Sequence, residues 1–118
     1  MTEERRQFRR LPFQADIQLF SGSGLWNSQI LDISLKGALL KKPPNWEGKV
    51  GEIFRVKINL EDFSGITMSV TIAHIKEDCI GAQWTKIDVI SFTKLKRLLE
   101  LNFADPEQLE RELTNLSA

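Results

Sequence analysis

From Phe13 to Phe20 apolar and polar residues alternate, the period of a strand with one face buried. Ser21-Gly-Ser-Gly24 reads as a tight turn, after which Leu25 to Ile33 resumes as a second strand. Gly37-Ala-Leu-Leu40 is a short apolar third. Pro43-Pro44 interrupts regular structure, and Gly48 and Gly51 bracket a loop. Ile53 to Leu60 alternates again, with Phe54, Val56, Ile58 and Leu60 on one face. A turn over Glu61 to Gly65 leads into Ile66 to Ile75, a long β-branched stretch with Met68, Val70 and Ile72 in period two. Lys76-Glu-Asp78 turns the chain once more, and Ile80 to Thr85 completes a hairpin. The period then changes. Ile90, Leu95, Leu98, Leu99 and Leu101 fit a helix from Asp88 to Asn102. Asp105-Pro106 opens a second helix, with Leu109, Leu113 and Leu116 on one face; Asp is a good N-cap and Pro suits the first helical position. About six antiparallel strands followed by helices predict a small barrel or sandwich.

The chain has 118 residues, one domain's worth, which rules out a two-domain enzyme but not a small catalytic one. No apolar run approaches the ~20 residues of a membrane-spanning helix, and no signal-peptide stretch follows the start, so the expectation is a cytoplasmic protein without membrane insertion. The single cysteine, Cys79, excludes an internal disulfide and a cysteine-rich zinc site, and the single histidine, His74, excludes a multi-histidine metal site. Asp16, Asp32, Asp62 and Asp78 supply carboxylates, but no pair has motif support, and no phosphate-cradling glycine loop is present. A non-enzyme is the expectation.

Sixteen basic residues balance sixteen acidic ones, so bulk attraction to nucleic acid is not built into the composition. The balance conceals a polarity. Arg5, Arg6, Arg9 and Arg10 crowd the start, whereas from Glu100 onward Arg111 is the only base among five acids. Arg offers a planar fork of donors suited to phosphate or to a guanine edge; a solvated, flexible terminus is the plain alternative. Two spacings then matter in combination: Arg6-x-x-x-Arg10, preceded by Arg5, and Asp32-Ile-Ser34-Leu-Lys-Gly37 between the second and third strands. Neither is specific alone, since Asp and Ser bond local backbone in turns and Gly permits positive φ.

In this order the two motifs resemble those of the PilZ domain family, whose pattern is Arg-x-x-x-Arg followed by (Asp/Asn)-x-Ser-x-x-Gly. Both halves match without departure, and the resemblance extends from about Glu4 to Trp84. It implies a six-stranded antiparallel β-barrel over 13–86, a flexible Arg-rich arm over 1–12, and C-terminal helices over 87–118 packed on the barrel. It also implies a non-catalytic receptor for cyclic di-GMP, whose ligand bridges the arm to Asp32, Ser34 and Gly37 and orders the arm for a downstream protein effector. Asp is acceptor-only when ionised and suits the N1–H and N2–H₂ donors of guanine; Arg forks onto guanine O6 and N7 or onto phosphate. Arg5 and Arg9 form a second i, i+4 pair, which in the family's terms favours two intercalated copies of the nucleotide over one.

Other residues are weighed against plainer roles. Similar proteins carry a tryptophan late in the long strand that packs on a guanine; His74 either stacks in its place or makes a local hydrogen bond. Gly81 resembles the family's glycine there or simply serves the hairpin. Cys79, without basic neighbours in a thiolate pattern, is inert. Trp26, Trp46 and Trp84 are core or loop anchors. Lys36, Lys41 and Lys42 either add positive potential near the ligand or are plain surface. The competing classes are a PilZ-like protein-interaction module without ligand and a small nucleic-acid-binding barrel. Against the latter, no stripe of interleaved aromatic and basic residues runs along the strands, so DNA or RNA is not expected.

Overall fold

The computed structural model describes residues 11–22, 24–60, 65–102 and 106–117. The four arginines of the arm, the turn residues 61–64 and the expected cap Asp105 lie outside them. Six strands are formed, β1 (Leu11–Ser21), β2 (Gly24–Ile33), β3 (Gly37–Lys41), β4 (Ile53–Asn59), β5 (Gly65–Lys76) and β6 (Cys79–Ile87), followed by α1 (Val89–Asn102) and α2 (Pro106–Ser117). The strands close into an antiparallel barrel in the order β1-β2-β3-β6-β5-β4. This is the expected fold class, and it resolves the choice between barrel and sandwich.

Alternation drives closure. Ile17 and Leu19, Ile30 and Ile33, Ala38 and Leu40, Phe54, Val56 and Ile58, Ile66 to Ile72 at every second position, and Ile80 and Ala82 all point inward and are buried. Partners on adjacent strands lie level, as Ile58 with Ile66 and Val56 with Met68 do, so each polar alternate faces outward. Near the start of β4, Phe54 is flanked by Trp26 (ring centroids 6.0 Å apart, edge-on) and Trp46 (5.5 Å). Trp46 thereby fastens the loop between β3 and β4 to the core, the anchoring role expected of it.

α1 packs against β5, burying Ser91, Leu95, Leu98 and Leu99. The Ser91 hydroxyl accepts the Thr67 amide at 3.2 Å, and Lys94 Nζ donates to the Gly65 carbonyl at 3.2 Å. Asp88 caps the helix, its carboxylate accepting the Ser91 amide at 2.7 Å. The apolar stripe differs from the expected one in two members. Ile90 and Leu101 are 70% and 71% exposed, because α1's seat on the barrel is only wide enough for the face centred on Leu95 and Leu99. In α2, Leu109 is buried and Leu113 packs against the core cluster, as their spacing predicts.

Candidate ligand-binding site

The segment between β2 and β3 is the Asp32–Gly37 turn, and its geometry comes from its own side chains. The Ser34 amide donates to the Gly37 carbonyl at 2.8 Å. The buried Ser34 hydroxyl donates to the same carbonyl at 3.3 Å and accepts the amides of Lys36 (3.1 Å) and Gly37 (3.2 Å). β6 then clamps the turn from outside. The Trp84 indole N–H donates to the Ser34 carbonyl at 3.1 Å, and the Trp84 amide donates to the Lys36 carbonyl at 2.8 Å. Gly37 pairs with Gln83, and a Cβ there would run into the Ala82 carbonyl oxygen and come within 3.1 Å of the Gln83 Cα. Glycine is therefore required for β3 to lie this close to β6.

Two β-bulges set the outer face beside this turn. In β2, Ile30 faces Leu40 and Asp32 faces Leu39, leaving Leu31 as an extra residue. In β5, Ile72 faces Ala82 and His74 faces Gly81, leaving Ala73 extra. A bulge turns two successive residues towards one face; accordingly Leu31 and Asp32 are both half-buried, and Ala73 and His74 are both exposed. The two bulges sit level on the strands that flank β3 and β6. They create one outward row across four strands, Asp32–Leu39–Gly81–His74, continued on β1 by Pro12. With strands about 4.8 Å apart, Asp32 and His74 stand about 14 Å apart along the curved surface.

Gly81 is the floor of this row. A Cβ on it would overlap the His74 imidazole, so the ring lies flat across the glycine. Cys79, two residues before Gly81, carries a thiol held above its ordinary pKa, first by desolvation, then by the Asp78 carboxylate, with a smaller push from Asp32 and an opposing one from Lys76. The thiol is protonated at neutral pH, in line with an inert cysteine. The chain enters the barrel here as well: Leu11 pairs with Ile33, between Asp32 and Ser34. A groove of about 1,050 Å³ lies elsewhere, between β1 and α1, lined by Phe13, Leu60, Leu98 and Leu101 with Lys94 and Arg97, and it holds none of the motif residues.

Comparison with known protein families matches the PilZ domain over residues 4–101. The chain belongs to the PilZ domain family. Its fold is similar to that of the Bacillus subtilis inhibitor of motility MotI/DgrA, with a TM-score of 0.67 at 19% identity over 81% of this chain and 52% of that one. It is similar to the PilZ domain of YcgR from Escherichia coli with c-di-GMP, with a TM-score of 0.68 at 16% identity over 96% and 97% of the two chains. It is similar also to the K. pneumonia MrkH–c-di-GMP complex, with a TM-score of 0.68 at 18% identity over 80% and 50%. The chain thus spans about half the length of MotI/DgrA and of MrkH, and nearly all of the YcgR domain.

Of the residues expected at the site of this PilZ domain, the barrel brings Asp32 and His74 into one row and sets Ser34 and Gly37 in the adjoining turn. Arg5, Arg6, Arg9 and Arg10 lie outside the described residues. Gly81, left open between hairpin and family glycine, is the seat of the imidazole. Trp84 has a part that went unseen: it ties the turn to β6. An aromatic fifty residues from the motif gives no local signal of that contact, and only the strand pairing reveals it.

Proposed function

We propose that this chain is a non-catalytic receptor for cyclic di-GMP, which lies along the Asp32–Gly81–His74 row and is gripped by the arginines of the N-terminal arm. The observation that carries this reading is the paired bulge. It aims an anionic acceptor and a flat heteroaromatic ring onto one face across a glycine floor, beside the point where the chain enters the barrel. The Asp32 carboxylate accepts from the N1–H and N2–H₂ of a guanine. His74 presents a ring for stacking on a purine. Ser34 and Gly37 hold the bend that fixes Asp32. Arg10 adjoins Leu11, and Arg6 is five residues from it, a stretch that extended chain covers in about 17 Å. That length is enough to bring the guanidinium groups to the row, where they would supply phosphate or guanine contacts. The solved relatives YcgR and MrkH are described as bound to c-di-GMP, which supports the same ligand here.

Binding would carry the arm across the outer face, and the surface so formed is what a downstream protein reads. The paired arginines, with Arg5 and Arg9 beside Arg6 and Arg10, favour two stacked nucleotides per chain. Isothermal titration tests the reading. Cyclic di-GMP is expected to bind saturably at two per chain, while GMP and cyclic di-AMP bind far more weakly, because adenine offers no donor pair to a carboxylate. Equal affinity for cyclic di-AMP would overturn the role given to Asp32, and saturation at one nucleotide would overturn the stoichiometry.

A further inference from the structure

β1 is longer than the strand that closes the barrel against it. It pairs with β2 from Leu11 to Ser21 but with β4 only from Ile17 to Phe20. Residues 11–16 therefore keep one backbone edge without a strand partner among the described residues. α1 does not fill the gap, for the groove of about 1,050 Å³ lies between this stretch and the helix. Residues 13–16 line it over about 14 Å, the length of four strand residues. Two devices restrain the edge from pairing at random. Pro12 has no N–H, and one extra β1 residue bulges between Pro12, which faces Asp32, and Ala15, which faces Ile30. An edge guarded in this way takes a strand only where side chains add to the main-chain bonds.

The groove supplies such side chains. Phe13 and Leu60 are half-buried on the barrel side, and across from them α1 presents Leu98 with Leu101, which is 71% exposed. The same helix brings two cations. Arg97 is exposed and lies 4.0 Å from Glu100, and Lys94 is held half-buried by its bond to the Gly65 carbonyl. The strand wall carries the opposite sign at Asp16. The groove is thus apolar along its floor and polar across its width, so an acidic side chain fits against the helix and is repelled at the strand. We propose that this groove docks an extended segment of a partner protein as an added strand on β1. Its alternate apolar side chains lie on Phe13, Leu60 and Leu101, and an acidic one meets Lys94 and Arg97. Main-chain bonds to β1 supply affinity, and the floor and the two cations select the partner. None of the groove's residues belongs to the Asp32 row, so the docking stands independently of the nucleotide. The plain alternative is a solvent-filled notch left where β1 and β4 part.

Random heptapeptides displayed on phage and selected on the full chain test this, each enriched peptide then being synthesised and measured by isothermal titration. The enriched peptides are expected to alternate apolar residues and to carry Asp or Glu. Leu101→Asp and Arg97→Glu, both at exposed positions, are each expected to weaken their binding about tenfold or more. Leu25→Asp, at the exposed far end of the β1–β2 hairpin, is expected to bind as wild type does. Backbone N-methylation separates strand addition from side-chain docking. Methyl groups on every second peptide residue are expected to abolish binding, and on the residues between to change it less than about twofold, because only alternate N–H groups face β1. Enrichment of no peptide that senses Leu101→Asp and Arg97→Glu would leave the notch and overturn the docking. Equal loss on methylation at every position would overturn the added strand.

Discussion

Ser34 and Asp32 stand two residues apart in one motif, yet they face different neighbours. The Ser34 hydroxyl is buried and takes the amides of Lys36 and Gly37. Ser34→Ala leaves those amides without their acceptor and is expected to lower stability by about 1–3 kcal/mol, read as an earlier urea midpoint. Asp32 sits half-buried on a bulge of the outward row, with Oδ1 shielded from solvent, and Asp32→Ala is expected to abolish nucleotide binding with a smaller loss of stability than Ser34→Ala. A urea midpoint for Asp32→Ala as low as that for Ser34→Ala would make the carboxylate a structural group instead. The motif's spacing marks both residues but does not separate their roles. The same holds for Gly37, whose need for a bare Cα comes from Ala82, 45 residues on. Such demands arise from strand pairing, which a linear pattern does not contain.

The elements were more legible than the contacts. Six strands follow from period-two alternation because each has one buried face, and their ends differ from expectation by one or two residues. The helix period gave α1, but Ile90 and Leu101 near its two ends overshoot the barrel, while the polar Ser91 turns inward to meet Thr67. The bulges at Leu31 and Ala73 left no trace in the sequence, since one extra residue in a short strand does not disturb the pattern enough to be seen. The start of α1 was legible in Asp88, and it carries a pH dependence. Hydrogen bonds to its carboxylate, the Ser91 amide first, hold the Asp88 carboxyl below the usual range. A carboxyl with the lower pKa when folded stabilises fully above its unfolded value of about 3.9 and loses that contribution as pH falls through the folded value. Asp88→Ala is therefore expected to melt a few degrees below wild type at neutral pH, with the gap closing towards about pH 3. A gap that stays constant through the acid range would show that the carboxylate's charge is not what caps the helix.

At the scale of the whole molecule, the described fold and the arginines proposed to grip the nucleotide lie on different stretches of chain. Among the described residues, the six strands and two helices run from Leu11 onward, and so does the core that closes the barrel. The arginines precede it. Their substitution should therefore leave the unliganded barrel as stable as before while removing the grip on the nucleotide. Ligand linkage makes this measurable. Each nucleotide bound at one hundred times its Kd stabilises the folded state by about 2.7 kcal/mol, which for a domain of this size raises Tm by roughly 10 °C per site. Wild type is expected to show at least the single-site rise with cyclic di-GMP. The Arg6→Ala/Arg10→Ala double variant is expected to melt within about 1–2 °C of wild type without ligand and to show no rise with it. A lower Tm for the unliganded double variant would mean that the arm already braces the barrel, and ligand binding would then exchange one set of arm contacts for another rather than recruit the arm anew.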